Sequence, residues 1–156
     1  MSDISVDAAK PLFPALGRMT ESLSPYAEPP VRVATGLLLV PHGAQKLFGW
    51  FGGHGIAGTE QFFASKLGLP PWVAVLAGLV EFGGGLLLAL GLVTRVAAAL
   101  VTGLMTVAVI QVHLPNGFFW TEGGYEYPLL WGILALSFVV RGGGRFSLDA
   151  LIGREF

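Results

Sequence analysis

The chain of 156 residues contains no cysteine. Iron–sulfur clusters held by thiolates, disulfide exchange and persulfide chemistry on the chain itself are therefore excluded. Charged residues are also scarce, at 12% of the sequence against roughly 25% in soluble domains. No basic run points to nucleic acid, and the formal net charge is −1. Any redox role must therefore use a bound cofactor, a substrate or a partner subunit.

What the sequence has in abundance is apolar residues and glycine. Hydrophobic residues make up 53% of the chain, and 23 residues are glycine. Glycine is common where membrane helices pack closely, because it lets two backbones approach. The composition indicates an integral membrane protein of one domain.

Four apolar runs predict transmembrane helices, over residues 31–48, 72–93, 96–114 and 127–140. The fourth run spans only roughly 21 Å, so its helix must extend at the ends or lie where the bilayer is thin. Four helices with short connections predict an all-α protein, an up-down four-helix bundle in the membrane.

The basic residues predict how this bundle is oriented. Seven of them lie on the side that holds both termini and the turn 93–96, while Lys46 and Lys66 lie on the other side. Because cytoplasmic loops carry the excess of Lys and Arg, both termini are expected in the cytoplasm. The prediction is a multi-pass protein of the bacterial inner membrane, with loops 49–71 and 115–126 outside.

Two short helices are predicted to lie on the membrane surface. One is N-terminal, with Leu12, Leu16, Met19 and Leu23 on a single face. The other, over residues 59–67 in the first outer loop, begins at Thr59 as a candidate cap. The predicted organisation is a cytoplasmic N-terminal segment with this amphipathic helix (1–30), the membrane domain (31–149) and a cytoplasmic tail (150–156). Ser147 is a candidate cap for a short helix beside the tail.

Glu81 interrupts the second apolar run, which is otherwise uncharged. A carboxylate well inside a bilayer costs about 2.5–3.5 kcal/mol, so it usually faces a partner or a water-filled cavity. Glu81 lies roughly 13 Å into the helix, close to the middle of a core that is roughly 30 Å thick. It is therefore the first candidate site residue.

The first apolar run carries polar residues on one helical face. His42, Gln45 and Lys46 are spaced i, i+3 and i+4, directly after Pro41, which removes a backbone hydrogen bond and predicts a kink. All intramembrane polar groups fall between the midplane and the outer surface. We therefore predict a cleft open to the outside, with Glu81 at its floor and its partner on the first helix.

Glu81, His42 and Lys46 are the candidate catalytic residues. Candidate binding residues are these three with Gln45, Trp50 and Gln111, and no metal site is expected. Each group also has a structural interpretation: Lys46 can reach the headgroups, His113 beside Pro115 can cap a helix, and Gln111 can join helices. Glu81 can likewise form a purely structural bridge with Lys46 or His42.

Three stretches carry a family resemblance: RVATGLLLVPHGAQKLFGWFGGHG (Arg32–Gly55), LVEFGGGLLLALGLVTR (Leu79–Arg95) and RGGGRFSLD (Arg141–Asp149). They resemble the DoxX family of small four-helix membrane proteins. The resemblance implies links to membrane redox complexes, oxidative-stress responses and a thiosulfate:quinone oxidoreductase. The family pattern falls on Arg32, His42, Gly43, Lys46, Glu81 and Asp149, without assigning them roles.

Several functions fit these features. One is a quinone-linked redox subunit, in which Trp50, Phe51 or Trp120 packs on the quinone ring. Another is a non-catalytic anchor or scaffold for soluble redox enzymes, and a third is a path for protons or small solutes. Haem held by His42 and His113 is disfavoured, since their estimated depths differ by roughly 17 Å. The partners considered are the lipid bilayer, a soluble or membrane redox enzyme, and further copies of the chain.

Overall fold

Residues 12–154, the part of the chain that the computed structural model describes, contain helices joined by turns and short loops, and no strands. The predicted all-α class is confirmed there. The α-helices are α1 (Pro14–Leu37), α2 (Val40–Phe48), α3 (Gly55–Leu67), α4 (Trp72–Leu79), α5 (Gly85–Leu90), α6 (Thr94–Val107), α7 (Glu126–Arg141) and α8 (Leu148–Ile152). A π-helical turn, Val80–Gly84, joins α4 to α5, and a second, Ala108–His113, continues α6. Short 3₁₀ turns lie at Trp50–Gly52, Leu114–Asn116 and Trp120–Glu122.

Two continuous helical stretches within residues 12–154 are long and apolar enough to cross a bilayer. They are Trp72–Leu90 and Thr94–Asn116, and they correspond to the second and third predicted spans. The first predicted span is divided between α1 and α2, and the fourth is α7, whose 16 residues extend roughly 24 Å. That Trp72–Leu90 and Thr94–Asn116 cross the membrane stays a prediction.

The predicted kink in the first span lies at Leu38 and Leu39, between α1 and α2. There the amide of Leu39 donates to the carbonyl of Gly36, at 3.1 Å, rather than to that of Thr35 one residue earlier. The Thr35 carbonyl instead accepts a hydrogen bond from the indole Nε1 of Trp131, at 3.2 Å. The break thus allows a hydrogen bond that joins α7 to α1.

Glycines allow α1 and α2 to lie directly against α4 and α5. A Cβ atom on Gly36 would overlap the carbonyl of Gly85, and one on Gly43 would overlap the backbone of Gly78 and Phe82. Only glycine leaves room for this contact between backbones. The close approach brings the face of α2 that carries Lys46 onto the π-helical turn that carries Glu81.

The apolar core lies in two clusters along the bundle. Leu39, Val80, Val101, Met105 and Ala135 form one cluster. The other, at the end of the bundle where Arg32 lies, is formed by Leu88, Ala97, Ala98 and Phe138, which are at most 2% exposed. The core thus separates the Glu81 end of the bundle from the Arg32 end.

Two predicted element boundaries differ in the structure. α1 runs without interruption through residue 30, so the predicted surface helix and the start of the first span are one helix. Residues 1–11 of the N-terminal segment and 155–156 of the tail lie outside the described residues. The prediction of Thr59 as a cap is wrong: α3 begins at Gly55, and the Thr59 hydroxyl donates to the Gly55 carbonyl one turn earlier. Ser147 is confirmed as the cap of α8, where it accepts from the amide of Ala150 at 3.1 Å.

Candidate functional site

Glu81 forms an ion pair with Lys46. The Lys46 ammonium lies 2.6 Å from Oε2 and 2.9 Å from Oε1 of Glu81, so it donates to both carboxylate oxygens. The Glu81 side chain is 10% exposed and that of Lys46 is 26% exposed. The prediction that the partner of Glu81 lies on the first helix pair is therefore confirmed.

The helix around Glu81 is wound as a π-helix. Glu81 is the second residue of the turn Val80–Gly84, and regular α-helix continues on both sides. Single π-helical turns inside α-helices occur frequently at functional sites. A second π-helical turn ends at His113, so two of the polar residues at this end of the bundle come from such turns.

The ion pair lies in the wall of a cavity of about 490 Å³. This volume is within the range of small-molecule sites, about 300–1,000 Å³. The cavity is lined by polar residues (His42, Lys46, Glu81, His113), aromatic residues (Trp120, Tyr127, Trp131) and apolar or small residues (Leu39, Met105, Ala108, Gly123, Gly124, Pro128). The arrangement offers a charged side and an aromatic side to one ligand.

The aromatic wall is built mainly from the start of α7. Trp120 stacks on Tyr127, with ring centroids 5.5 Å apart and planes at 15°. Trp131 meets Tyr127 edge to face, and its indole is held by Thr35. Sequence reasoning proposed Trp120 and missed Tyr127 and Trp131 as lining residues. The spacing i, i+4 of these two in the fourth apolar run would have indicated a shared face.

His113 is held at the cavity by its own hydrogen bond. Its Nδ1 lies 2.6 Å from the carbonyl oxygen of Gly123. A carbonyl only accepts, so we assign the proton of this hydrogen bond to Nδ1. His42 and His113 line the same cavity, so the difference in depth estimated from the sequence does not separate them into different sites. Within residues 12–154, no group of three His, Asp or Glu side chains is placed to hold a metal ion.

The other predicted binding residues do not line this cavity. Gln45 donates to the carbonyl of Phe51 at 3.1 Å. Trp50 is 55% exposed and packs against Phe48, because α2 ends at the left-handed Gly49 and the chain turns away. Gln111 lies exposed on the second π-helical turn. The structure thus brings together Glu81, His42 and Lys46, and leaves Gln45, Trp50 and Gln111 outside.

The remaining polar positions of the family pattern lie at the other end of the bundle. Arg32 is 2% exposed and donates to the carbonyls of Leu88, Ala89 and Phe146 at 2.6–2.9 Å. Asp149 accepts from the amides of Val93 and Thr94 and from the Thr94 hydroxyl at 2.6–2.9 Å. These two residues join α1, the α5–α6 turn and the C-terminal segment, which is a structural role.

Asp149 is expected to make the stability of the fold depend on pH in the acidic range. Burial alone would raise its pKa, but the hydrogen bonds from Thr94 and Val93, with Arg32 nearby, hold the pKa below its ordinary value. The carboxylate therefore stabilises the fold fully above its unfolded pKa of about 3.9, and this contribution is lost as pH falls through the lower folded value. At pH values below about 4, we therefore expect the purified protein to melt at a lower temperature than at neutral pH.

The matched variants for this test are Asp149→Asn and Glu122→Gln, the latter at an exposed carboxylate. Asp149→Asn should melt at a lower temperature at neutral pH and lose part of the acid dependence. Glu122→Gln should follow the wild-type curve. An unchanged acid dependence in Asp149→Asn would contradict the assignment.

The fold and the site together define a small, apolar, all-helical protein with a charged pair in the wall of a cavity between its helices. The DoxX family model matches residues 30–114, more than half of the chain, and the chain belongs to this family of membrane proteins. The resemblance seen at residues 141–149 lies beyond that match. No solved structure matches the chain.

Three relatives are similar over most of their length. The chain is 31% identical over 122 residues to "Putative oxidoreductase CatD" of Bacillus subtilis (strain 168), covering 78% of this chain and 84% of the relative. It is 30% identical over 110 residues to "Inner membrane protein YqjF" of Escherichia coli (strain K12), covering 69% and 82%. An uncharacterized protein of Haemophilus influenzae is 31% identical over 136 residues, covering 83% and 92%.

Proposed function

We propose that this protein is a membrane subunit of a quinone-linked redox system, and that the cavity holds the quinone ring. The observation that carries the proposal is the Lys46–Glu81 ion pair in the wall of an aromatic-lined cavity of about 490 Å³. A planar ring fits between aromatic side chains, and its oxygens need hydrogen-bonding groups. The name of the Bacillus subtilis relative as an oxidoreductase is in keeping with this function.

In the proposed site each polar group has a separate role. An ammonium has three protons, and Lys46 donates two of them in its hydrogen bonds to Glu81. The third proton is therefore available to a quinone oxygen. Negative charge that develops on this oxygen during reduction is stabilised by Lys46. The two protons that convert quinone to quinol come from solvent, one by way of His42 and one by way of the Lys46–Glu81 pair. The two electrons come from a redox enzyme that acts as partner.

In the proposed membrane arrangement, four spans place both termini in the bacterial cytoplasm. α1 with α2 and α7 supply the first and fourth spans beside the two continuous apolar stretches. Arg32, Arg141 and Arg145 lie near one another at one end of the bundle, as the cytoplasmic end requires. The cavity then opens in the outer half of the membrane, and the surface of the bundle contacts lipid.

Replacing Glu81 with glutamine tests the proposed function. We expect quinone binding to weaken by about tenfold or more, because the carboxylate loses the charge that positions Lys46 and the capacity to exchange a proton. Quinol turnover with the partner enzyme should fall with it. The measurement is equilibrium binding of duroquinone to the purified protein in nanodiscs, with Glu122→Gln as the matched control. Full binding and turnover in Glu81→Gln would sink the proposal.

A second candidate is a non-catalytic anchor for soluble redox enzymes. It is favoured by α8, which exposes Leu151 at 80% and Ile152 at 54% beside the Arg32 end of the bundle. In this case the ion pair only holds the bundle together, and α8 contacts the partner. A Leu151→Asp substitution that releases a co-purifying oxidoreductase, while Glu81→Gln has no effect on turnover, would favour the anchor over the quinone site.

A further inference from the structure

An apolar groove of about 290 Å³ runs along the outside of α6 and α7, next to the cavity. Met105 and Pro128 line both the groove and the cavity. The two spaces are therefore neighbours, with these side chains between them. Met105 belongs to the core and is 6% exposed, so a ligand passes from the cavity into the groove by displacing this side chain, which is unbranched and has three rotatable bonds.

The groove presents mainly aliphatic surface. Its two hydroxyl groups are already used, since Thr102 donates to the carbonyl of Ala98 and Thr106 to that of Thr102. Ile110, Leu129 and Ile133 line it and are 40–58% exposed. The groove thus opens on the surface of the bundle that would face lipid, and its walls suit a hydrocarbon chain.

Gly132 lets α7 pack closely on Met105 of α6 at the end of the groove that is nearest the cavity. It lies in the middle of α7 and lines the groove, and a Cβ atom there would lie 3.3 Å from the Cβ of Met105. A side chain at this position would therefore fill the region where the groove approaches the cavity.

We infer that the groove holds the apolar tail of the molecule whose ring occupies the cavity, so that the ligand is a quinone with a long hydrocarbon tail. This inference rests on the proposed function. The ring lies at Lys46 and Glu81, and the tail passes Met105 and lies between α6 and α7. The ligand enters sideways from the bilayer, and a tail-free quinone uses the cavity alone.

The test compares two quinones on variants that fill the groove. Leu129→Trp and Ile133→Trp place a large side chain in it, while Leu130→Trp changes the neighbouring residue, which is 49% exposed and lies outside it. Protein in phosphatidylcholine nanodiscs is equilibrated with decylubiquinone, which has a ten-carbon tail, or with duroquinone, which has none. Bound quinone is measured after extraction, with empty nanodiscs subtracted, and variants are compared for one quinone at a time.

We expect both groove variants to bind decylubiquinone about tenfold more weakly. This is the loss in affinity expected when about five atoms of the tail lose their contacts with the groove. Duroquinone binding should change less than about twofold, and this also shows that the variants are folded. Leu130→Trp should bind both quinones as the wild type does. If all three variants bind decylubiquinone equally well and still bind duroquinone, the groove does not hold the tail, and the proposed function is unaffected. Wild-type protein that binds neither quinone would overturn the proposed function and the groove together.

Discussion

Replacing Arg32 with methionine is expected to lower the free energy of unfolding by about 3 kcal/mol or more. The guanidinium donates to three carbonyls, those of Leu88, Ala89 and Phe146, and the residue is 2% exposed. Methionine fills much of the same volume but donates no hydrogen bond, so the three carbonyls lose their guanidinium donor, and within residues 12–154 only that of Leu88 keeps another, the amide of Gly91 at 3.1 Å. The contact between α1, the end of α5 and the C-terminal segment should loosen as a unit.

The measurement is the melting temperature of the detergent-purified protein, followed by the helical circular dichroism signal. The matched control is Arg18→Met, an arginine exposed on the same helix. Its effect should stay within about 0.5 kcal/mol, as for most surface substitutions. If Arg32→Met and Arg18→Met melt together, the three hydrogen bonds of Arg32 do not hold the bundle end.

Removing only the lysine of the ion pair is expected to be similarly severe. Lys46→Met leaves the Glu81 carboxylate, which is 10% exposed, without the ammonium that contacts both its oxygens. Breaking a buried pair in this way costs about 3–5 kcal/mol, because one charge stays behind in an apolar environment. We expect a value near the lower end, about 3 kcal/mol, since Lys46 is 26% exposed.

The double variant Lys46→Met/Glu81→Gln separates structure from function. Removing both charges should recover much of the lost stability, with a coupling energy of about 1.5–3 kcal/mol between the two sites. Quinone binding should not recover, because Lys46 and Glu81 are gone and of the three polar groups proposed to serve the ring oxygens only His42 is left. Lys66→Met, at an exposed lysine in the last turn of α3, is the control. A double variant that binds quinone like the wild type would show that the pair serves the fold alone.

The sequence predicted the fold where simple physical rules apply. The apolar runs located the helices, Pro41 indicated the break in the first span, and Ser147 was recognised as a cap because its spacing to the following amides is local. Glu81 and Lys46 were found since a charge in an apolar run needs a partner. The choice of Lys46 over His42 as that partner depended on how α2 packs against Glu81, which sequence spacing alone did not decide.

The features that the sequence did not predict depend on packing between residues far apart in the chain. Trp131 lines the cavity because the break at Leu39 frees the Thr35 carbonyl, and that hydrogen bond joins residues 96 positions apart. Gln111 was placed by counting α-helical turns, but it lies in a π-helical turn, where side chains point in different directions. Arg32 and Asp149 were known as parts of a pattern without a role, because their partners are backbone groups that a sequence does not place in space.

The π-helical turn at Val80–Gly84 also bears on how this site can arise or disappear. Such a turn holds one residue more than regular α-helix would, so the helix before it and the helix after it are out of phase by about 100°. Deletion of a single residue, such as Gly83, would let a regular helix form and would rotate Glu81 relative to α5 by that angle. The charge would then leave the cavity although every side chain of the site was still encoded. In this family, a length change of one residue in the second apolar run is therefore a clearer mark of a lost site than many substitutions.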